Sequence, residues 1–318
     1  VKKFYPLLIT MLFITVFIIS GCSGNSAGEK ENKQAKGNES FPVTIVDGVN
    51  KKVTIESKPQ KIVSLIPSNT EIAFSLGLNK QIVGVSNFDN YPEEVKKKTK
   101  IGERDFNVEK IVSLKPDLVL AHASGAHNAK EGLNQLRDAG ITVLIVNEAE
   151  NFDTVYESIE MIGKATGTYN KAKKITADMK DRLQEIEKKA QSIDKSEVKK
   201  VFIEVSPAPN IVAAGKKTFI DDMLGLIQAK NAVEANGWPK IDPEAVIESN
   251  PDTIITTYGY DTSDPIKNVT SRSGWQDINA VKNKAVADVH SDKVARPGPR
   301  LVEGVEELAK AVYPEVFK

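Results

Sequence analysis

The chain has 318 residues, with 43 Lys plus Arg against 43 Asp plus Glu, three histidines, one cysteine and a mean hydropathy of −0.29. That length can fold into two domains of ordinary size, each with its own core. The balanced charge supplies no global field for nucleic acid or an acidic partner, and a lone cysteine means that the fold stands without internal disulfides.

Lys2 and Lys3 precede an apolar run over 4–19 that ends in "SGCSG", which predicts a secretory signal over 1–22. The next stretch, "GNSAGEKENKQAKGNES", is polar and lacks apolar periodicity, so 23–40 reads as a flexible tether. A strand pair follows in "FPVTIVDGVNKKVTIES", with Asp47 and Gly48 at the turn.

The first α/β unit is "KIVSLIPSNTEIAFSLGLN". It predicts a strand over 62–66 that breaks at Pro67, then a helix capped by Ser68 or Asn69 and closed by Gly77. Then come the run "QIVGVS", the segment "NVEKIVSLKPDLVLAH", a helix near 129–139 and a strand "TVLIV". Strands alternating with helices at this spacing predict a parallel, wound sheet in a lobe over 41–168. Over 169–193 the apolar residues Ala172, Ile175, Met179, Leu183, Ile186, Ala190 and Ile193 step by three and four among dense charges. That pattern predicts one long amphipathic helix packing its stripe across two lobes and joining them.

The α/β pattern restarts over 194–318 with "KKVFIEVSPAPN", a helix after Thr218, and "DPEAVIESNPDTIITTY". A strand near "AVADV", the corner "ARPGPR" and a helix "LVEGVEELAKAVY" complete the second lobe. In both halves a Glu (Glu109, Glu244) precedes a Pro-Asp corner (Pro116 and Asp117, Pro251 and Asp252) at the same spacing. The two lobes therefore read as an internal repeat.

Enzymatic motifs are sparse. His122 and His127 are five apart in "HASGAH", a loop spacing and not a zinc-protease helix face, and no phosphate-cradling loop or nucleophile elbow follows a strand. A metal-dependent enzyme would need these histidines to share an ion with a carboxylate such as Glu131, and the chain reads instead as a non-enzyme. What it offers is aromatic and polar loops at strand ends: Phe88 and Tyr91, Trp238, Tyr258 and Tyr260, and Arg296 with Arg300. Ligands in such sheets bind outside the carboxyl ends of the strands, where aromatics stack on an apolar ligand and charged groups grip its rim.

From about Lys61 to Phe317 the sequence resembles the substrate-binding lipoproteins that deliver metal chelates to ABC importers. The segments "KIVSLIPSNTEIAFSLGL", "GVSNFDNYP", "VEKIVSLKPDLVLA" and "WPKIDPEAV" are most similar to the vitamin B12-binding (BtuF-like) members. The resemblance implies an α/β fold of class III periplasmic-binding-protein type: two Rossmann-like lobes with parallel-rich sheets joined by one rigid helix. It implies a corrinoid ligand surrounded by Phe88, Trp238, Asp292 and Arg296, to which the strand-end aromatics Tyr91 and Tyr258 and the loop residue His122 add candidate contacts, and no resident cofactor. Two tryptophans of the B12 binders are replaced here, one by Glu103 or Arg104 and one by His122, which is a candidate axial ligand to cobalt or part of a polar lining. A siderophore or haem receptor stays open through Arg104, Arg296 and Arg300, and an adhesin-like or sensory lipoprotein is a further alternative. Glu109 and Glu244 match the carboxylates that dock on permease arginines, so a permease and its ATPase are the expected partners of a monomeric receptor. "IISGC" resembles a lipobox, which implies lipid attachment at Cys22 and an outward-facing, membrane-anchored protein.

Overall fold

The computed structural model describes residues 40–318; the expected signal, Cys22 and the tether up to residue 39 lie outside the described residues. The first elements are an antiparallel pair, β1 (Val43–Val46) and β2 (Lys52–Ile55). Asp47 makes the turn: its Oδ1 accepts the backbone N–H groups of Val49 and Lys51. Gly48 then donates its N–H to the Ile145 carbonyl at 2.7 Å, and a Cβ there would lie 2.9 Å from the Val146 carbonyl oxygen. Only glycine allows that close approach.

The first sheet is built from β3 (Ile62–Ser64), α1 (Pro67–Ser75), β4 (Ile82–Val85), β5 (Thr99–Lys100), α2 (Val108–Leu114), β6 (Leu118–His122), α3 (Ala123–Ala126), α4 (Lys130–Asp138) and β7 (Thr142–Val146). Its strand order is β5-β4-β3-β6-β7, all pairs parallel. Strands covered on both faces carry near-continuous apolar runs, as Leu118 to Ala121 do. Pro67 opens α1 at its first position instead of only ending the strand, and Ser68 and Asn69, expected as caps, lie inside the helix. The reason is that proline's fixed φ suits a first helical turn, where its missing N–H costs nothing.

Two helices follow. α5 (Phe152–Thr166) is capped by Asn151 and Thr154 in a reciprocal pair and ends at Gly167 with φ 63°. α6 (Tyr169–Ala190) buries Ala172, Thr176, Met179, Leu183, Ile186 and Ala190. Ile175, expected on this stripe, is half-buried, and Thr176 takes the inward position. The helices cross closely at Gly163, where a Cβ would sit 2.5 Å from that of Ala172.

The remaining elements are β8 (Lys200–Ser206), β9 (Val212–Ala213), α7 (Phe219–Leu226), β10 (Lys230–Asn231), α8 (Pro243–Ser249), β11 (Thr253–Thr256), α9 (Pro265–Thr270), α10 (Asn279–Lys282), β12 (Val286–Asp288), α11 (Ser291–Ala295) and α12 (Leu301–Val312). The second sheet runs β10-β8-β11-β12, all parallel, with β9 antiparallel on β8. Leaving aside β5 at the edge of the first sheet and the antiparallel β9, the order repeats: β10-β8-β11-β12 matches β4-β3-β6-β7, with the leading strand (β8 or β3) in the second place. α6 packs on α5, and also on α7 and α12 of this half. The largest apolar cluster accordingly runs from Ile45 to Phe317 through the stripe of α6.

The Pro-Asp corners repeat in their hydrogen bonds as well as in sequence. α2 and α8 each end in a left-handed residue, Lys115 (φ 50°) and Asn250 (φ 44°), just before the proline. Asp117 Oδ2 accepts the N–H groups of Gln60 (2.7 Å) and Lys61 (2.8 Å), and its own N–H donates to the Lys61 carbonyl. Asp252 Oδ2 accepts the N–H of Lys200 at 2.9 Å, and its N–H donates to the Lys200 carbonyl. Each aspartate thus locks the start of a leading strand to its neighbour and fixes their register. Replacing Asp117 or Asp252 by Ala is expected to lower the unfolding free energy by about 1–3 kcal/mol, read from urea denaturation. A loss under roughly 0.5 kcal/mol would show the corner to be dispensable.

Candidate functional site

In a sheet of this order the chain leaves β3 and β6 in opposite directions, which opens a crevice at their carboxyl ends. A cavity of about 590 Å³ lies there. Its wall includes Leu65, Ile66 and Pro67 after β3, Phe88 after β4, the turn Glu103 to Phe106, and Ala121 with His122 at the end of β6. Asn69 spans the crevice, its Nδ2 donating to the Ala121 carbonyl at 2.9 Å.

The loop bearing Phe88 is rigidly held although the ring itself is exposed. Ser86 Oγ donates to Asp89 Oδ2 at 2.6 Å, and Lys100 Nζ donates to the carbonyls of Ser86 and Asp89. Burial pushes the Asp89 carboxyl up, against the pull of the Ser86 hydrogen bond. Asn87 donates its N–H to the Gly102 carbonyl, which ties this loop to the turn carrying Glu103, Arg104 and Asp105. Phe106 lies against α4, where Gly132 leaves room for its ring.

His122 caps α3. Its Nδ1 accepts from the Ser124 N–H at 3.3 Å and lies 2.9 Å from Ser124 Oγ. Burial lowers its pKa to about 4, so the ring is neutral at ordinary pH. With Nδ1 accepting, the proton sits on Nε2, and His122 is a hydrogen-bond donor at the cavity wall. His127 is exposed, and among the described residues no group of three His, Cys, Asp or Glu side chains is arranged to hold a metal ion.

The equivalent crevice of the second sheet is filled. Leu118 pairs with Ile62 and Thr253 with Val201, so the register sets Leu65 of the first sheet against Glu204 of the second. Glu204 is fully buried and chelated by Arg272, Nη1 to Oε2 and Nη2 to Oε1, both at 2.6 Å. Tyr258 donates its hydroxyl to Glu204 Oε1 at 2.5 Å, and the Arg272 guanidinium lies 4.4 Å from the Trp275 ring centre. Tyr258, expected at the ligand, is therefore a buried structural tyrosine, 4% exposed, because a carboxylate at this depth needs every donor nearby. The exposed aromatic of that loop is Tyr260.

The C-terminal corner reaches the first half. Glu71 of α1 is 3% exposed, yet it takes Arg300 in a bidentate pair (2.8 and 2.7 Å) and Arg296 at 2.9 Å. Arg296 also donates to Asn90 Oδ1 at 2.6 Å and pairs with Asp292 at 2.9 Å, while Asn90 Nδ2 donates to Asp292. The Arg300 guanidinium stacks 3.9 Å from the Tyr91 ring centre. Asp292 and Arg296, expected at the ligand, are thus engaged with each other and with α1 and the Phe88 loop. Trp238 is half exposed, with one edge on Phe219 at 5.9 Å. Glu109 and Glu244 are exposed, each at the second position of its helix. The cavity thus takes in Phe88 and His122 and leaves Tyr91, Trp238, Asp292 and Arg296 outside its lining. Phe106 and the carboxylate Asp105 were missed, and only their place in a Gly-led turn after a short strand could have signalled them.

The profile of the periplasmic binding proteins matches residues 62–293. The chain belongs to the periplasmic binding protein family. It is 51% identical over 308 residues, 96% of either chain, to the "Uncharacterized ABC transporter substrate-binding lipoprotein YvrC" of Bacillus subtilis strain 168. It is 30% identical over 283 residues, 86% of this chain and 75% of the other, to a "Cobalamin-binding protein" of Halobacterium salinarum. A solved structure titled "a possible an iron-binding (periplasmic solute-binding) protein" from Staphylococcus epidermidis superposes with a TM-score of 0.72 at 40% identity, covering 81% of this chain and all of that one. This periplasmic binding protein is an ABC transporter substrate-binding protein with the class III α/β fold, and that role implies a permease and an ATPase as partners.

Two outcomes are expected from these contacts. Glu71→Ala removes the carboxylate that Arg296 and Arg300 share, leaving Arg296 to Asp292 and Asn90 and Arg300 buried with only Asp292 at 3.9 Å, and should cost about 3–5 kcal/mol of stability, measured by chemical denaturation; a loss below about 1 kcal/mol would show that Asp292 alone suffices for both arginines. Between pH 6.5 and about 4 the unfolded chain takes a proton on His122 that the folded chain refuses, so stability falls as acid is added across that window. His122→Gln should remove that part of the fall, seen as a smaller drop in Tm between pH 7 and pH 4.5 than in the unaltered protein.

Proposed function

We propose that the protein captures vitamin B12 or a related corrinoid at the cleft and hands it to an ABC permease. The observation that carries this reading is the cavity at the β3–β6 crevice, with Phe88 and Phe106 beside the neutral donor His122. Aromatic faces suit the broad apolar plane of a corrin, and a donor suits its rim of amide carbonyls. The cobalamin-binding relative supports the same ligand class.

In this proposal Phe88 and His122 line the site, and Tyr91, Trp238, Asp292 and Arg296 flank it. The Nε2 proton makes His122 a rim donor; axial ligation of cobalt would require its hydrogen bond from Ser124 N–H to be given up. Glu109 and Glu244 serve as docking carboxylates on the two halves, where their exposure avoids a burial cost before docking. Cys22 carries the lipid that holds the receptor outside the membrane, and the receptor works as a monomer. The second reading is a ferric-chelate receptor, favoured by the likeness to the possible iron-binding protein of Staphylococcus epidermidis.

Titration of the chain lacking residues 1–22 with cyanocobalamin, haemin and ferric siderophores by calorimetry separates the two. Saturable cyanocobalamin binding at micromolar concentration is expected, and its absence defeats the corrinoid reading. Phe88→Ala should weaken that binding by up to roughly tenfold, the scale of one aromatic contact. Reversing both Glu109 and Glu244 to Arg should abolish uptake at unchanged ligand affinity, whereas a large loss of affinity would place them at the ligand.

A further inference from the structure

Arginines beside a cleft ordinarily mark it for an anion, and Arg296 and Arg300 stand at the edge of this one, Arg296 Nη2 lying 3.5 Å from the carbonyl of Phe88, a cavity residue. Their charge is already spent. Glu71 engages both through its two oxygens, and Asp292 lies 2.9 Å from Arg296 and 3.9 Å from Arg300. Two carboxylates thus face two guanidinium groups, with both arginines and Glu71 largely buried, and the cluster presents no net charge. Recruiting either arginine to a ligand anion would strip Glu71 of a partner while it stays buried, a cost that offsets the new contact.

Lys100, the next cation beneath the Phe88 loop, is likewise bound inward, to the carbonyls of Ser86 and Asp89 and opposite the Asp89 side chain. The ionisable groups of the cavity wall are Glu103, Arg104, Asp105 and His122. His122 carries no charge at neutral pH, because burial lowers its pKa to about 4. What remains is two carboxylates against one guanidinium group.

We infer that the cleft selects by charge: it takes an uncharged or cationic metal chelate and disfavours one with peripheral carboxylates or a catecholate shell. The selection comes from the Glu71 clamp, which silences the arginines, and from Glu103 and Asp105, which leave the cavity wall negative. This deepens the corrinoid reading and rests on it for the size and shape of the ligand. Among ligands of similar bulk it separates amide-rimmed corrinoids from haem, with its propionates, and from ferric tris-catecholates.

The test varies charge on one framework. Calorimetric titration of the full chain in detergent would compare cyanocobalamin, cationic aquocyanocobinamide, a cobalamin monocarboxylate made by hydrolysing one rim amide, haemin, a neutral ferric hydroxamate and a ferric tris-catecholate. The monocarboxylate should bind roughly fivefold more weakly than cyanocobalamin, the scale of one like-charge contact in water, and cobinamide at least as well as cyanocobalamin. In the double variant Glu103→Gln with Asp105→Asn the gap between cobalamin and its monocarboxylate should close; these exposed positions do not threaten folding. If the monocarboxylate binds as tightly as cyanocobalamin, or the double variant keeps the gap, the charge selection is overturned and the corrinoid reading stands. Binding of the neutral hydroxamate without any corrinoid would overturn the corrinoid reading and support the charge selection. Haemin or the catecholate binding in preference to cobalamin, or no binding across the panel, would overturn both.

Discussion

A carboxylate buried between two halves of a protein is costly unless cations are buried with it, and Glu71 has two. Arg296 and Arg300 come from the opposite end of the chain, 225 and 229 residues away. Through them the segment after β12 is fastened to α1 and to the loop of Phe88, on the side where the carboxyl ends of the first sheet open. α5 and α6 join the halves by apolar packing, and the clamp adds a directional constraint at the cleft. Apolar contacts tolerate sliding; a bidentate guanidinium does not. The two halves are therefore held by a polar joint near the cavity as well as by the apolar packing of the helices.

The repeat explains why the two halves look alike and yet do different things. Both sheets share a four-strand parallel order, β4-β3-β6-β7 and β10-β8-β11-β12, and both Pro-Asp corners lock the leading strand by the same backbone bonds. The divergence lies at one register position. Leu65 leaves the first crevice apolar and open, whereas Glu204 calls in Arg272 and Tyr258 and closes the second.

Local rules made much of this legible. The three-four stepping of α6, the glycine closing α1, the alternation of apolar strands with helices and the echo of the Pro-Asp corners are all carried by neighbouring residues, and each corresponds to an observed element. Pro67 was misread because a proline after a strand signals a break and a first helical turn equally well. α5 was passed over although Asn151 and Thr154 cap it and Gly167 ends it, since its polar face interrupts the apolar pattern. The site was less legible for a different reason. Nothing near Tyr258 in sequence announces Glu204, and nothing near Arg296 announces Glu71; whether an arginine greets a ligand or a buried carboxylate depends on partners that only the folded chain brings together.

The hairpin at the start of the described chain has a meaning apart from binding. Parallel sheets end in strands with unpaired backbone groups, which invite pairing with another copy. Three of the four edges here are very short: β5 and β10 have two residues each and β12 three. The fourth, β7, has five, and against it the turn of the hairpin is seated, with the Gly48 N–H on the Ile145 carbonyl. A bare β7 would offer another copy five residues of unpaired backbone to extend the sheet. The small ribbon acts as a stopper on the one edge long enough to start that growth.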